Sequence, residues 1–162
     1  MSLPARFTAV DLKITAWLGR HGVTLSRLSL GIVFLWFGAL KFVPGLSPAE
    51  DLASRTIQQV TFGLFPPGWI LPALATWETV IGLGLLTARF LRITLFLLVT
   101  QMAGTLLPLV LFPDETFAVF PLVPAMEGQY IIKNLVLLSA AAVVGATVRG
   151  QGLAPEKASG SG

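Results

Sequence analysis

Four apolar stretches, each close to twenty residues long, decide what this chain can fold into. At ~1.5 Å of rise per residue, a helix of that length matches the ~30 Å hydrocarbon layer of a bilayer. The stretches run from about Leu25 to Val43, Trp69 to Ala88, Leu91 to Phe112 and Tyr130 to Val148. In hydrocarbon a backbone must satisfy its own polar groups, and a helix does so within one segment. Only 12% of the 162 residues are charged, against about 25% in a soluble domain. Mean hydropathy is +0.80. The expected fold is an all-α integral membrane protein, a four-transmembrane-helix bundle with interfacial amphipathic helices.

Three regions follow from the same pattern. Residues 1–24 are too interrupted by charge for a secretory signal. Phe7, Val10, Ile14, Trp17 and Leu18 recur at helical spacing among Arg6, Asp11, Lys13 and Arg20. The spacing predicts an amphipathic segment on the cytoplasmic side, lying at the membrane surface with Trp17 at headgroup level. Residues 25–148 form the transmembrane domain. Between its first two spans, Ser47-Pro48 followed by Glu50-Asp51 reads as a helix start, and Pro66-Pro67-Gly68 as its stop. Arg89 and Arg92 mark a tight turn before the third span. Residues 113–129 are a loop rich in proline and acid, and residues 149–162 a polar flexible tail.

Charge placement predicts orientation. Eight of the eleven basic residues fall on the side of the termini: Arg6, Lys13, Arg20, Arg27, Arg89, Arg92, Arg149 and Lys157. Lys41, Arg55 and Lys133 fall toward the other side. The positive-inside rule puts both termini in the cytoplasm. The basic residues gather at span ends, so the net charge of +3 speaks for topology and anionic lipid rather than nucleic acid. There is no cysteine and one histidine, His21. This chain therefore supplies no disulfide, thiol relay or iron–sulfur ligand, no haem held by two histidines and no His-rich zinc site. No metal site is expected. Gly82-Leu83-Gly84 lies inside an apolar helix with no strand before it and is no nucleotide loop.

The polar residues inside the spans carry the functional question. Glu78 sits near the middle of the second span. A charge at that depth costs roughly 2.5–3.5 kcal/mol on insertion scales. Lys41, Gln101 and Lys133, each on another span, are its candidate partners. Ala75 and Gly82 flank Glu78 on one face and allow a neighbouring helix close. Arg27 and Lys41 are fourteen residues apart and share a face with Phe34; both can snorkel to opposite surfaces. Thr94, Gln101, Thr105 and Pro108 form a polar stripe on the third span, with Pro108 a candidate kink. Ala141 with Gly145, and Ala142 with Ala146, are small-residue pairs that suit a homo-oligomer through the fourth span. For Glu78 two readings stand side by side. One is a structural ion pair that fixes helix register; the other is a proton-exchanging carboxylate in a polar pocket.

RLSLGIVFLWFGALKFVPG, from Arg27 to Gly45, resembles the first span of the DoxX-like membrane protein family. The resemblance is nearest to the YkgB/RclC branch, inner-membrane proteins linked to reactive-chlorine resistance. WETVIGLGLL with Glu78, TLLPLVLFPDE with Pro108 and GQYIIKNLVLL with Lys133 follow in the same order. Arg27, Lys41, Glu78 and Lys133 match positions that look characteristic of the family. The resemblance implies a bacterial inner-membrane protein of four helices, associated with quinone-linked redox or oxidative-stress systems. On that expectation Lys41 or Lys133 donates a hydrogen bond to a quinone carbonyl and Glu78 relays protons. Gln101 lies alongside, and Trp36, Phe37 or Trp77 stacks on the ring. A soluble redox partner protein supplies electrons. Two alternatives remain at this point: a small-solute or proton-coupled transporter working as an oligomer, and a non-catalytic membrane anchor or scaffold.

Overall fold

The computed structural model describes residues 5–47 and 50–148. The roles read into Arg6 and Phe7, the Pro48 helix start and the tail with Arg149 and Lys157 lie outside the described side chains. In chain order come α1 (Ala5–Leu40), α2 (Glu50–Val60), α3 (Pro67–Thr87), α4 (Leu91–Leu106), α5 (Pro108–Leu111) and α6 (Pro113–Thr116). A two-stranded antiparallel hairpin follows, β1 (Phe117–Val119) and β2 (Val123–Pro124), and then α7 (Met126–Ala146). Four segments are long and apolar enough to cross a membrane: Val10–Leu40, Pro67–Thr87, Leu91–Leu111 and Met126–Ala146. The protein is an all-α four-helix membrane protein.

The ends of these helices follow local rules. Pro67 starts α3 at a position where its missing N–H costs nothing. The link from α3 to α4 is three residues long, and both Ala88 (φ 57°) and Phe90 (φ 52°) adopt the left-handed conformation to reverse the chain. Pro108 splits the third span. It lacks the N–H that Gly104 needs, and the Leu107 N–H bonds that carbonyl instead at 3.2 Å. The helix resumes at once as α5.

The bundle turns its large apolar side chains both ways. Leu30, Phe34, Ile81, Leu85, Leu98, Met102, Ala141 and Val144 form the core. Ile32, Trp36, Phe96 and Val136 are among those that face outward, as suits a lipid solvent.

The most extensive packing is between α1 and α3. A Cβ placed on Gly82 would stand 2.5 Å from the Leu35 nitrogen and 2.8 Å from its Cα. A Cβ on Gly38 would stand 2.8 Å from the Thr79 nitrogen. The two backbones touch because neither glycine has a side chain to hold them apart. At the other end of this contact the Arg27 guanidinium donates to the carbonyls of Leu85 and Leu86. It caps the last turn of α3, where a cation also suits the helix dipole. Arg27 therefore does more than mark topology.

These contacts correct one expectation. Residues 5–24 are not a helix of their own: α1 is one unbroken helix of 36 residues from Ala5. No proline stands between Arg20 and Leu25, and Gly22 alone costs only ~1 kcal/mol. α1 is also offset along α3. Arg27 is level with the last turn of α3, Leu35 with Gly82, and Gly38 with Glu78 and Thr79. The helix ends at Leu40, near the middle of α3 rather than at its far end.

Gly82→Val is expected to lower stability by about 2–3 kcal/mol through overpacking against Leu35. Thermal melts followed by helical circular dichroism in detergent check this, with Gly19→Ala as the unchanged control, since nothing stands within 4 Å of a Cβ there.

Candidate functional site

The inward stripe of α3 is built from Ala75, Glu78, Ile81, Gly82 and Leu85, all buried at helical spacing. Glu78 is 7% exposed. Its carboxylate has two partners from two other helices. The Lys41 ammonium donates to Oε2 at 2.6 Å, and the Gln101 amide donates to Oε1 at 2.9 Å. One carboxylate thus joins α1, α3 and α4.

Each partner is placed by a local feature. Lys41 is the first residue after α1, where the chain tightens into a turn with Lys41 N–H to Gly38 carbonyl and Phe42 N–H to Ala39 carbonyl bonds, both 3.2 Å. Its ammonium also lies 3.4 Å from the Phe37 carbonyl. A cation here sits at the negative end of a helix dipole and opposite a carboxylate. Lys41 therefore points into the bundle instead of snorkelling to the far surface. Gln101 arrives from the polar stripe of the third span. Thr94, Gln101 and Pro108 on that stripe are buried and Thr105 is half-buried. Beside Glu78, the Thr79 hydroxyl oxygen is buried without a hydrogen-bond partner among the described residues.

The remaining expected members stand elsewhere. Lys133 is exposed on α7, and its ammonium lies 5.2 Å from the ring of Tyr130 one turn before it. It shares no hydrogen bond with Glu78 among the described residues. Trp36 is 65% exposed, Phe37 47% and Trp77 40%. They face outward and do not close a pocket around Glu78. The reason is angular. Trp36 is two residues from the buried Phe34, ~200° round the helix, and Trp77 is ~100° from Glu78. The Trp77 indole instead donates to the Leu97 carbonyl at 3.2 Å. On α7, Ala141 belongs to the core, and a Cβ on Gly145 would meet Leu95 at 3.6 Å. Ala142 and Ala146, the second pair, stay exposed, and Ala141, Ala142 and Gly145 line an apolar groove beside α4.

A second polar cluster lies at the end of the bundle where α2 and α6 meet. Arg55 grips both oxygens of Glu115, at 2.7 and 2.6 Å, reaches Asp51 at 2.8 Å, and stands 5.0 Å over the Phe112 ring. A cavity of about 360 Å³ opens there, lined by Asp51, Leu52, Arg55, Glu115 and Glu127. The Arg55 hydrogen bonds hold the Glu115 carboxyl below its ordinary value. The same pairing raises Arg55. Only the Asp51–Arg55 spacing of four residues hinted at this cluster in the sequence.

Two outcomes follow. Lys41→Met leaves the Glu78 carboxylate buried and unmatched and is expected to cost about 3–5 kcal/mol. Adding Glu78→Gln to it is expected to restore most of that loss, read as recovery of the detergent melting transition in a double-mutant cycle. For the outer cluster the sign follows from a lowered folded value. The Arg55–Glu115 link contributes in full above the ordinary glutamate value of 4.5 and is lost as pH falls through the lower folded value. The protection of α2 against hydrogen exchange, taken relative to the intrinsic exchange rate at each pH, should be full above pH 4.5 and decline as the pH falls below it. Comparison with protein-family models, curated proteins and solved structures finds no match for this chain.

Proposed function

We propose that this chain is a DoxX-like protein of the bacterial inner membrane, a membrane component of a quinone-linked redox or oxidative-stress system. Both termini lie in the cytoplasm on this reading, with Arg27, Arg89 and Arg92 on that side. The observation that carries the proposal is the buried Glu78 carboxylate held by Lys41 at a helix end inside the bundle. A chain of this composition has no other ionisable pair at such depth among the described residues, and intramembrane ionisable groups mark proton and ligand paths.

The donor set suits an exchangeable lipid-soluble quinone better than an enclosed one. The Lys41 ammonium is a hydrogen-bond donor for a carbonyl oxygen, and its side chain keeps 13% of its exposure. The aromatic residues Trp36, Phe37 and Trp77 are on the lipid-facing side, where a ring arriving through the bilayer meets them. A quinone takes up two electrons and two protons. A soluble electron-donating partner supplies the electrons, for this chain has no thiol and a single histidine. Lys41 positions the carbonyl oxygen, and Glu78 holds and passes the protons, with Gln101 fixing the carboxylate.

One observation favours a second reading. α1 ends level with Glu78, and transporters place proton and ion sites at helix ends within the membrane. Proton-coupled transport by an oligomer uses the same carboxylate.

The full chain purified in mild detergent, with quinone added back, is expected to retain it at near-stoichiometric level by mass spectrometry. The double variant Lys41→Met with Glu78→Gln should fold and lose at least about tenfold in retention, the loss of one charge-assisted bond. No retention by the unaltered chain ends the redox reading. Glu78-dependent solute flux in liposomes would then establish the transport reading.

A further inference from the structure

The cations of the bundle divide into two kinds. Arg27, Lys41 and Arg55 each donate to an acceptor on another helix. Arg89, in the link between α3 and α4, and Arg92, in the first turn of α4, are exposed. Neither shares a hydrogen bond or ion pair with another described residue. Both stand at the bundle end where Arg27 caps α3.

Arg92 stands over a groove. An apolar cleft of about 340 Å³ runs along the outside of the bundle between α4 and α7. Leu95, Phe96 and Val99 wall it on one side, and Leu138, Ala142 and Gly145 on the other. The small residues of α7 leave it open, and a larger side chain at the exposed Ala142 would fill it. At ~100° per residue, Leu95, Phe96 and Val99 lie ~60°, ~40° and ~20° from Arg92, so all four share one face of α4. The buried Thr94 and Gln101 are on the opposite face. Arg92 is three residues, or ~4.5 Å, beyond Leu95 toward the bundle end. Helical side chains lean toward the N-terminus of their helix, which carries the guanidinium to the mouth of the groove. Leu91 opens the membrane-length segment, so this mouth is at headgroup level.

A cation over the mouth of an apolar groove matches a molecule with an anion at one end and hydrocarbon at the other. A phosphodiester accepts two parallel N–H bonds from a guanidinium. A second copy fits less well. The membrane holds both copies at the same depth, so two-fold docking through this groove sets one Arg92 against the other. We infer that the α4–α7 groove is a binding site for a phospholipid of net negative headgroup, its phosphate on Arg92 and an acyl chain against Leu95, Val99 and Ala142. Arg89 adds to the positive field at the mouth. The groove and Gln101 are on opposite faces of α4, so the inference is independent of what Glu78 does.

The full chain in mild detergent is mixed with equal amounts of phosphatidylglycerol and phosphatidylcholine of the same acyl chains, and bound lipid is counted by native mass spectrometry. Phosphatidylglycerol is expected to be retained in preference by about tenfold or more. Arg92→Gln should lower that preference about fivefold. Ala142→Leu, which fills the groove and alters no charge, should lower retention of phosphatidylglycerol. Lys13→Gln removes an exposed cation elsewhere, on α1, and should change nothing. Equal retention of the two lipids by the unaltered chain overturns the proposal. So does a preference that survives Arg92→Gln, one that Lys13→Gln lowers as much, or retention indifferent to Ala142→Leu. A lipid-free dimer that Ala142→Leu abolishes would give the groove to a second copy and overturn it as well. The altered residues are all exposed, and an unchanged melting transition verifies the fold.

Discussion

A carboxylate held away from water must be matched, and the arrangement of α1, α3 and α4 follows from how Glu78 is matched. Each oxygen of its carboxylate receives one donor, from a different helix. Lys41 cancels the charge, and Gln101 fills the second oxygen without adding another. A low-dielectric interior makes such bonds strong and makes their absence costly. Hydrocarbon gives little preference for one helix pairing over another, because lipid is as apolar as leucine. Polar matching of this kind selects one rotation and one depth for each helix.

Small residues then let the matching happen. Lys41 reaches Glu78 only because the backbone at Gly38 can lie beside Thr79, and that of Leu35 beside Gly82. Polar and steric selection act at the same level of the bundle. α1 stops there, the Phe37 carbonyl accepting from the Lys41 ammonium and the chain turning away through tight hydrogen-bonded turns. α2 also packs on α3, and the Arg55–Glu115 link ties this cap to the bundle end.

Much of this was legible in the sequence, for reasons that can be named. Span lengths are set by bilayer thickness and by proline and glycine punctuation, so α3, α4 with α5, and α7 fall within a few residues of the expected limits. Glu78, Lys41 and Gln101 could be singled out as candidates because polar groups at depth must find one another. Lys133 misled because a lysine in the first turn of a span has a second solution, outward beside Tyr130. The outward placement of Trp36, Phe37 and Trp77 had no signature, because a helix apolar all round carries no mark of which side faces its neighbours. Phe7, Val10, Ile14, Trp17 and Leu18 recur at helical spacing, yet such spacing does not say whether the helix continues into the first span. The pairing of Arg55 with Glu115, 60 residues apart, had no local signature.

The separation of Lys41 and Glu78 along the chain carries a consequence for synthesis. The two are 37 residues apart, and Gln101 is a further 23 away. The lysine leaves the ribosome first, so for a time the nascent chain holds a lone cation in its first apolar segment and then a lone anion in its second. Neither is comfortable in lipid by itself. Both halves of the ion pair are present once α3 has been made, and the amide of Gln101 joins a site whose charge is balanced without it.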